Sequence, residues 1–221
     1  MKRLFLVISI LIVIGVKGWS QSVQSRAYIT NYNDSTISVI DVYKQTKVID
    51  IVTGKNPHGV DVSPDGKWIA VSNEGSNSVS IIDASTDKVI KSVMVGNHPH
   101  QLTFGLDGKT LYVALNADNA LAVITTSDWK LSSTIAVGRN PHIVIGSPDG
   151  KNLYVTLEGD EEVVILDAST LKITGEIPVF GWPRIPTFSP DGKTLYLSLR
   201  WFNGALIIDT EKKKVDRKSV V

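Results

Sequence analysis

Three of the four histidines in this chain recur at one spacing. His58, His100 and His142 each follow a proline and lie 42 residues apart, and His98 precedes His100 by two. The next copy of the position carries Arg184, after Trp182-Pro183. Neutral imidazoles bind copper, zinc or iron, so three brought together suit a metal site. Imidazoles beside a guanidinium suit an anion instead. A structural alternative is that each Pro-His braces a neighbouring element through a hydrogen bond. A bare cation tolerates Arg184 badly unless that side chain is turned away or paired, and the acidic run Glu158–Glu162 offers partners. The charge balance therefore leans toward an anionic or carboxylate-bearing small molecule. The same run could chelate calcium through its oxygens, but it lacks EF-hand spacing. The absence of cysteine excludes thiolate sites, disulfides and covalent haem attachment. No P-loop, G-x-S-x-G, dinucleotide fingerprint or H-E-x-x-H is present.

The elements that must position these residues repeat with the same period. Copies of a 42-residue unit begin at Ala27, Ile69, Leu111, Leu153 and Leu195. A period of this length marks a solenoid or propeller, because one unit cannot bury its own apolar face. Each copy contains short β-branched and aromatic runs, such as Leu153–Leu157 and Val163–Leu166, and no capped amphipathic stretch long enough for a helix. Turn chemistry separates the runs. Ser63-Pro64-Asp65-Gly66 recurs at Ser147 and Ser189, and Asp83-Ala84-Ser85-Thr86 recurs at Asp167. Proline presets φ, glycine supplies positive φ, and short polar side chains bond the turn backbone. The repeated aspartates are therefore turn residues. Four strands per unit predict an all-β fold, a β-propeller of four-stranded blades.

In such a unit the histidine position opens the innermost strand and rims the central channel. Antiparallel neighbours put the start of the inner strand and the end of the second strand on one face. The loops there vary: Glu74–Ser78, Asn116–Ala120, Glu158–Glu162 and Arg200–Gly204. The opposite face carries the uniform turns. Fixed turns on one side and diverse loops on the other suit a scaffold with one working face. Candidate ligand-binding residues are His58, His100, His142, Arg184, Trp182 and Trp201, with the three histidines as candidate metal ligands. Trp201 and Phe202 have a packing role as the alternative.

The second strands read AYITN, IAVSN, LYVAL, LYVTL and LYLSL. With the SPDG turn and the G-x-x-P-H lead-in, they make residues 27–221 resemble YVTN-type β-propeller repeat proteins, the YncE-like group. That family's usual ring has seven blades. Here four blades are complete and the first lacks its inner strand, so the resemblance implies a fragment of a seven-bladed ring, with a five-bladed ring as the alternative. The G-x-x-P-H lead-in also resembles the haem propeller of dissimilatory nitrite reductases, which implies noncovalent haem as a cofactor beside the transition-metal reading, and a redox role. Pro183-Arg184 resembles the P-R-H lead-in of propeller lactonases, although Ile185 stands where those enzymes have histidine. Catalytic residues are not identifiable.

The N-terminus is a separate object. Lys2 and Arg3 precede the apolar run Leu4–Val16, and Gly18-Trp19-Ser20 offers a cleavage site, so residues 1–20 read as a signal peptide. The run is shorter than the roughly 20 residues of a membrane span. Residues 21–26 form a short lead-in. Removing residues 1–20 takes away Lys2, Arg3 and Lys17 and no acid, moving the net charge from +1 to −2. No basic field is left to attract nucleic acid or anionic lipid. The sequence thus predicts a secreted or periplasmic binding scaffold that holds a small-molecule or protein ligand on its channel face.

Overall fold

The computed structural model describes residues 25–201 and 204–220, so the expected signal peptide, Phe202 and the last residue lie outside them. The described residues form five antiparallel sheets in series. The first is three-stranded: β1 (Arg26–Asn31), β2 (Thr36–Asp41) and β3 (Thr46–Val52). The second holds β4 (Pro57–Val62), β5 (Trp68–Asn73), β6 (Ser78–Asp83) and β7 (Lys88–Met94). The third holds β8 (Pro99–Phe104), β9 (Thr110–Leu115), β10 (Ala120–Thr125) and β11 (Lys130–Ala136). The fourth holds β12 (Pro141–Gly146), β13 (Asn152–Leu157), β14 (Glu162–Asp167) and β15 (Ile173–Pro178). The fifth holds β16 (Pro183–Phe188), β17 (Thr194–Leu199), β18 (Gly204–Asp209) and β19 (Lys214–Val220). One turn of 3-10 helix, Glu74–Ser76, interrupts the strands. Among the described residues no helix is long and apolar enough to cross a membrane.

The two middle strands of the complete inner sheets are buried on both faces, which explains their near-continuous apolar runs. Four apolar clusters fill the four junctions between successive sheets. Each takes the forward face of one sheet and the backward face of the next. Between the third and fourth sheets, for example, Tyr112, Leu121 and Val123 meet Val144, Leu153 and Val155. Tyr112 and Tyr154, at one repeat position, are 5% and 4% exposed. Their counterpart Tyr196, on the forward face of the fifth sheet, is 46% exposed. The same side chain is core or surface according to whether a sheet lies in front of it.

The turn residues have the role their sequence implied. Asp65 accepts from the Ser63 hydroxyl at 2.7 Å and the Lys67 N–H at 3.1 Å. Asp149 and Asp191 repeat the pattern. Asp83 and Asp167 accept from the N–H groups two and three residues on.

One carboxylate departs from the repeat. Asp61 on β4 accepts from its neighbour Val62 N–H and, across the junction, from Phe104 N–H on β8, each at 2.9 Å. Burial pushes its carboxyl up to about 6, against the opposing pull of these bonds and of Thr103. The folded protein therefore holds this proton more tightly than the unfolded chain. The stabilisation is complete below about pH 4 and is lost as pH rises toward 6, worth at most about 3 kcal/mol. Denaturant titrations across pH 4–7 should show that contribution in the wild type and not in Asp61→Asn. Parallel pH profiles would contradict it.

Candidate functional site

Each innermost strand starts with an irregularity at the histidine position. The register between β4 and β5 jumps from Pro57–Asn73 to Val60–Val71, so His58 and Gly59 together face Ser72. The same shift falls at His100, His142 and Arg184. Two residues opposite one form a β-bulge, which turns a side chain away from the ladder.

A column of hydroxyls on the second strands fills the gaps left by the bulges. Ser72 accepts the Gly59 N–H at 2.8 Å and donates to the His100 carbonyl of the next sheet. Thr156 accepts the Ile143 N–H at 3.1 Å and donates to the Arg184 carbonyl at 3.4 Å. Thr30 donates to the His58 carbonyl at 3.2 Å, and Ser198 accepts the Ile185 N–H at 3.0 Å. The brace between neighbouring sheets therefore exists, but the backbone of the Pro-His position makes it and the imidazole does not. Ala114 holds this position in the third sheet and has no hydroxyl to offer.

The imidazoles converge at one opening. His58 and His100 stack with ring centroids 4.5 Å apart. His142 stands edge-on to both, at 5.7 and 5.0 Å. Each ring offers a nitrogen within 4.8 Å of the others, the one such convergence of His, Cys, Asp or Glu side chains among the described residues. The Nδ1 atom of each ring is buried without a hydrogen-bond partner. Burial, with the neighbouring rings and Arg184 adding to it, holds His100 down to about 3 and His142 down to about 2. Burial also lowers His58, against the pull of Glu74. The cluster is neutral at pH 7.

A second arc surrounds the first. Glu74 Oε2 lies 3.8 Å from His100 Nε2, and its other oxygen 3.5 Å from His98 Nδ1. Glu158 Oε1 lies 3.0 Å from Arg184 Nε and 4.0 Å from His142 Nε2. Arg184 Nη1 donates to His142 Nε2. Burial raises Glu158 and lowers Arg184, and each opposes the shift of the other. Glu74 and Glu158 share one repeat position with Tyr32, Asn116 and Arg200. The loops on this face were legible in the sequence. The column itself emerges only when the copies are aligned, at the first residue of each variable loop.

Trp182 and Trp201 lie at the edge of the site. Their rings meet at 5.4 Å, and the Arg200 guanidinium sits 5.2 Å from the Trp182 ring. Trp201 is 67% exposed. Trp182 has φ +58°, in the left-handed region where Asn56, His98 and Asn140 hold the equivalent places. Asn140, Glu158, Gly159, Glu161 and Trp182 line a cavity of about 470 Å³ beside the histidines. The acids of residues 158–162 do not close on one point. Glu158 faces Arg184, Asp160 binds Arg139, and Glu161 accepts from Gly181 N–H at 3.3 Å.

Radial sheets packed face on face, with the variable loops and the histidines at one opening, define a β-propeller. The chain belongs to the YNCE-like beta-propeller family, whose model matches residues 13–173. No curated protein matches it. Among solved structures it is similar to Kuenenia stuttgartiensis hydrazine synthase, with 26% identity and a TM-score of 0.76 over 84% of this chain and 60% of that one. It is also similar in fold to dihydro-heme d1 dehydrogenase NirN in complex with DHE, with 19% identity and a TM-score of 0.74 over 92% of this chain and 45% of that one. The chain spans less than two thirds of the length of either.

The hydroxyl column yields a direct test. Ser72→Ala orphans the buried Gly59 N–H and the tie to His100, and should cost about 1–3 kcal/mol in denaturant unfolding. Ala114→Ser installs the missing hydroxyl and should be neutral or stabilising. A silent Ser72→Ala would remove the column from its bracing role.

Proposed function

We propose that this protein is an exported β-propeller that binds a small ligand or ion on its histidine-bearing channel face, with the blades as scaffold. One observation carries the reading: His58, His100, His142 and Arg184, equivalent by repeat, converge at a single opening with buried polar atoms that the fold itself leaves unpartnered. Buried polar groups without partners are costly, and a ligand that completes them recovers the cost. The opposite face supports the contrast, because its repeated aspartates are consumed by their own turns. The reading is one of binding rather than hydrolysis. Arg184 is committed to Glu158 and His142, and the adjoining Ile185 brings no ionisable group.

Thermal unfolding against a panel of metal ions, haem and small organic anions tests the binding. A ligand at one hundred times its Kd should add about 2.7 kcal/mol to stability. That gain should vanish in a variant with alanine at His58, His100 and His142. A panel without any response overturns the reading. Export is tested separately: exported protein should begin near Gln21, and N-terminal sequencing that returns Met1 would reject cleavage.

A further inference from the structure

We infer that the ligand of the histidine cluster is a borderline divalent transition-metal ion of the zinc–copper class, and that Arg184 occupies the cluster when the ion is absent. The inference rests on the binding reading above and names its ligand.

Three imidazoles with nitrogens within 4.8 Å of one another form a donor set for such ions, and small movements bring that spacing to a common centre. Hard cations prefer oxygen, and no cysteine is present to select a thiolate site. A porphyrin would need open space in front of the ligating nitrogen, whereas here the Nδ1 atoms are buried and nitrogens of the three rings crowd within 4.8 Å of one another. The surrounding charge also suits a cation. Glu74 and Glu158 stand 3.8 and 4.0 Å from His100 Nε2 and His142 Nε2. Carboxylates placed behind ligating histidines orient the ring and raise its basicity.

Arg184 stands against a cation at this site until its contacts are followed. A guanidinium donates hydrogen bonds and accepts none. Its contact with His142 Nε2 therefore uses the lone pair of that nitrogen. An ion that binds His142 through Nε2 takes that lone pair. An ion that binds through Nδ1 leaves the ring proton on Nε2, which then faces Arg184 as a second donor. Whichever nitrogen the ion uses, the Arg184 contact breaks. Glu158 already holds Arg184 by its Nε at 3.0 Å, so the guanidinium has a partner to withdraw onto. The ion and the Arg184 contact with His142 exclude each other.

The test uses the purified full chain, stripped with a chelator and titrated with Zn²⁺ by calorimetry and with Co²⁺ by visible absorption. The expected result is one ion per chain. His58→Ala, His100→Ala and His142→Ala should each lower affinity at least about 100-fold. Glu74→Gln and Glu158→Gln should lower it about 10-fold or more. Arg184→Met should raise affinity, a gain that misfolding cannot imitate. Loss of affinity in Arg184→Met overturns the competition. Absence of Zn²⁺ and Co²⁺ binding in a chain that responds to haem or an organic anion overturns the metal while leaving the binding face in place. No response to any ligand overturns both.

Discussion

The bulge at the start of each innermost strand is the constraint on which the site depends. In a regular ladder the histidine side chain would point to one face of its sheet, and both faces of the inner sheets pack against neighbours. The extra residue turns it toward the opening, and the second-strand hydroxyl takes the N–H that the bulge releases. Because that hydroxyl also reaches the carbonyl of the next sheet, the brace runs from blade to blade along the inner rim. The imidazole is thereby relieved of structural duty. Its Nδ1 is buried yet unpaired, which is an unusual state for a polar atom in a folded protein.

The electrostatics of the opening follow from that placement. Three rings this close cannot all be charged, and burial already disfavours the charged form, so they stay neutral. The acids just outside, with Arg200, arrive from a different column of the repeat, whereas Arg184 shares the column of the histidines. Glu158 and Arg184 compensate each other in a half-buried setting, where an uncompensated charge would be costly. Trp182 beside them carries a backbone cost as well, because a bulky residue at positive φ is disfavoured where Asn56, His98 and Asn140 serve in the other copies.

The fold could be read from the chain because every local signal agreed. Strand runs, Pro-Asp-Gly turns and the 42-residue period all repeat, and each copy checks the others. The co-facial placement of the histidines and the variable loops followed from strand direction alone. Other features were not legible. The His142–Arg184 contact joins side chains of adjacent blades, and its existence depends on rotamers that no periodicity encodes. The expectation that Pro-His braces a neighbour through a hydrogen bond left the atoms open, and the carbonyls rather than the imidazoles make the tie. The bulge itself was invisible because its two residues still look like ordinary strand. Charge counting tilts the sequence reading toward an anion because Arg184 is one of the four repeat equivalents, while the sequence offers its pairing with the Glu158–Glu162 run only as one way out and does not fix it.

Ala114 breaks the rim at one place. The strand that bears His142 lacks the hydroxyl that holds its counterparts to the preceding blade, and His142 is also the ring that Arg184 grips. Stability in a repeat architecture is distributed blade by blade, so a missing tie has a local address. Asn116 makes up part of that loss one residue earlier, where its Nδ2 donates to the Pro141 carbonyl at 3.2 Å. Of the three rings, the one that Arg184 grips thus sits on the rim strand whose tie to the preceding blade is an amide side chain rather than a hydroxyl, one residue before the usual place.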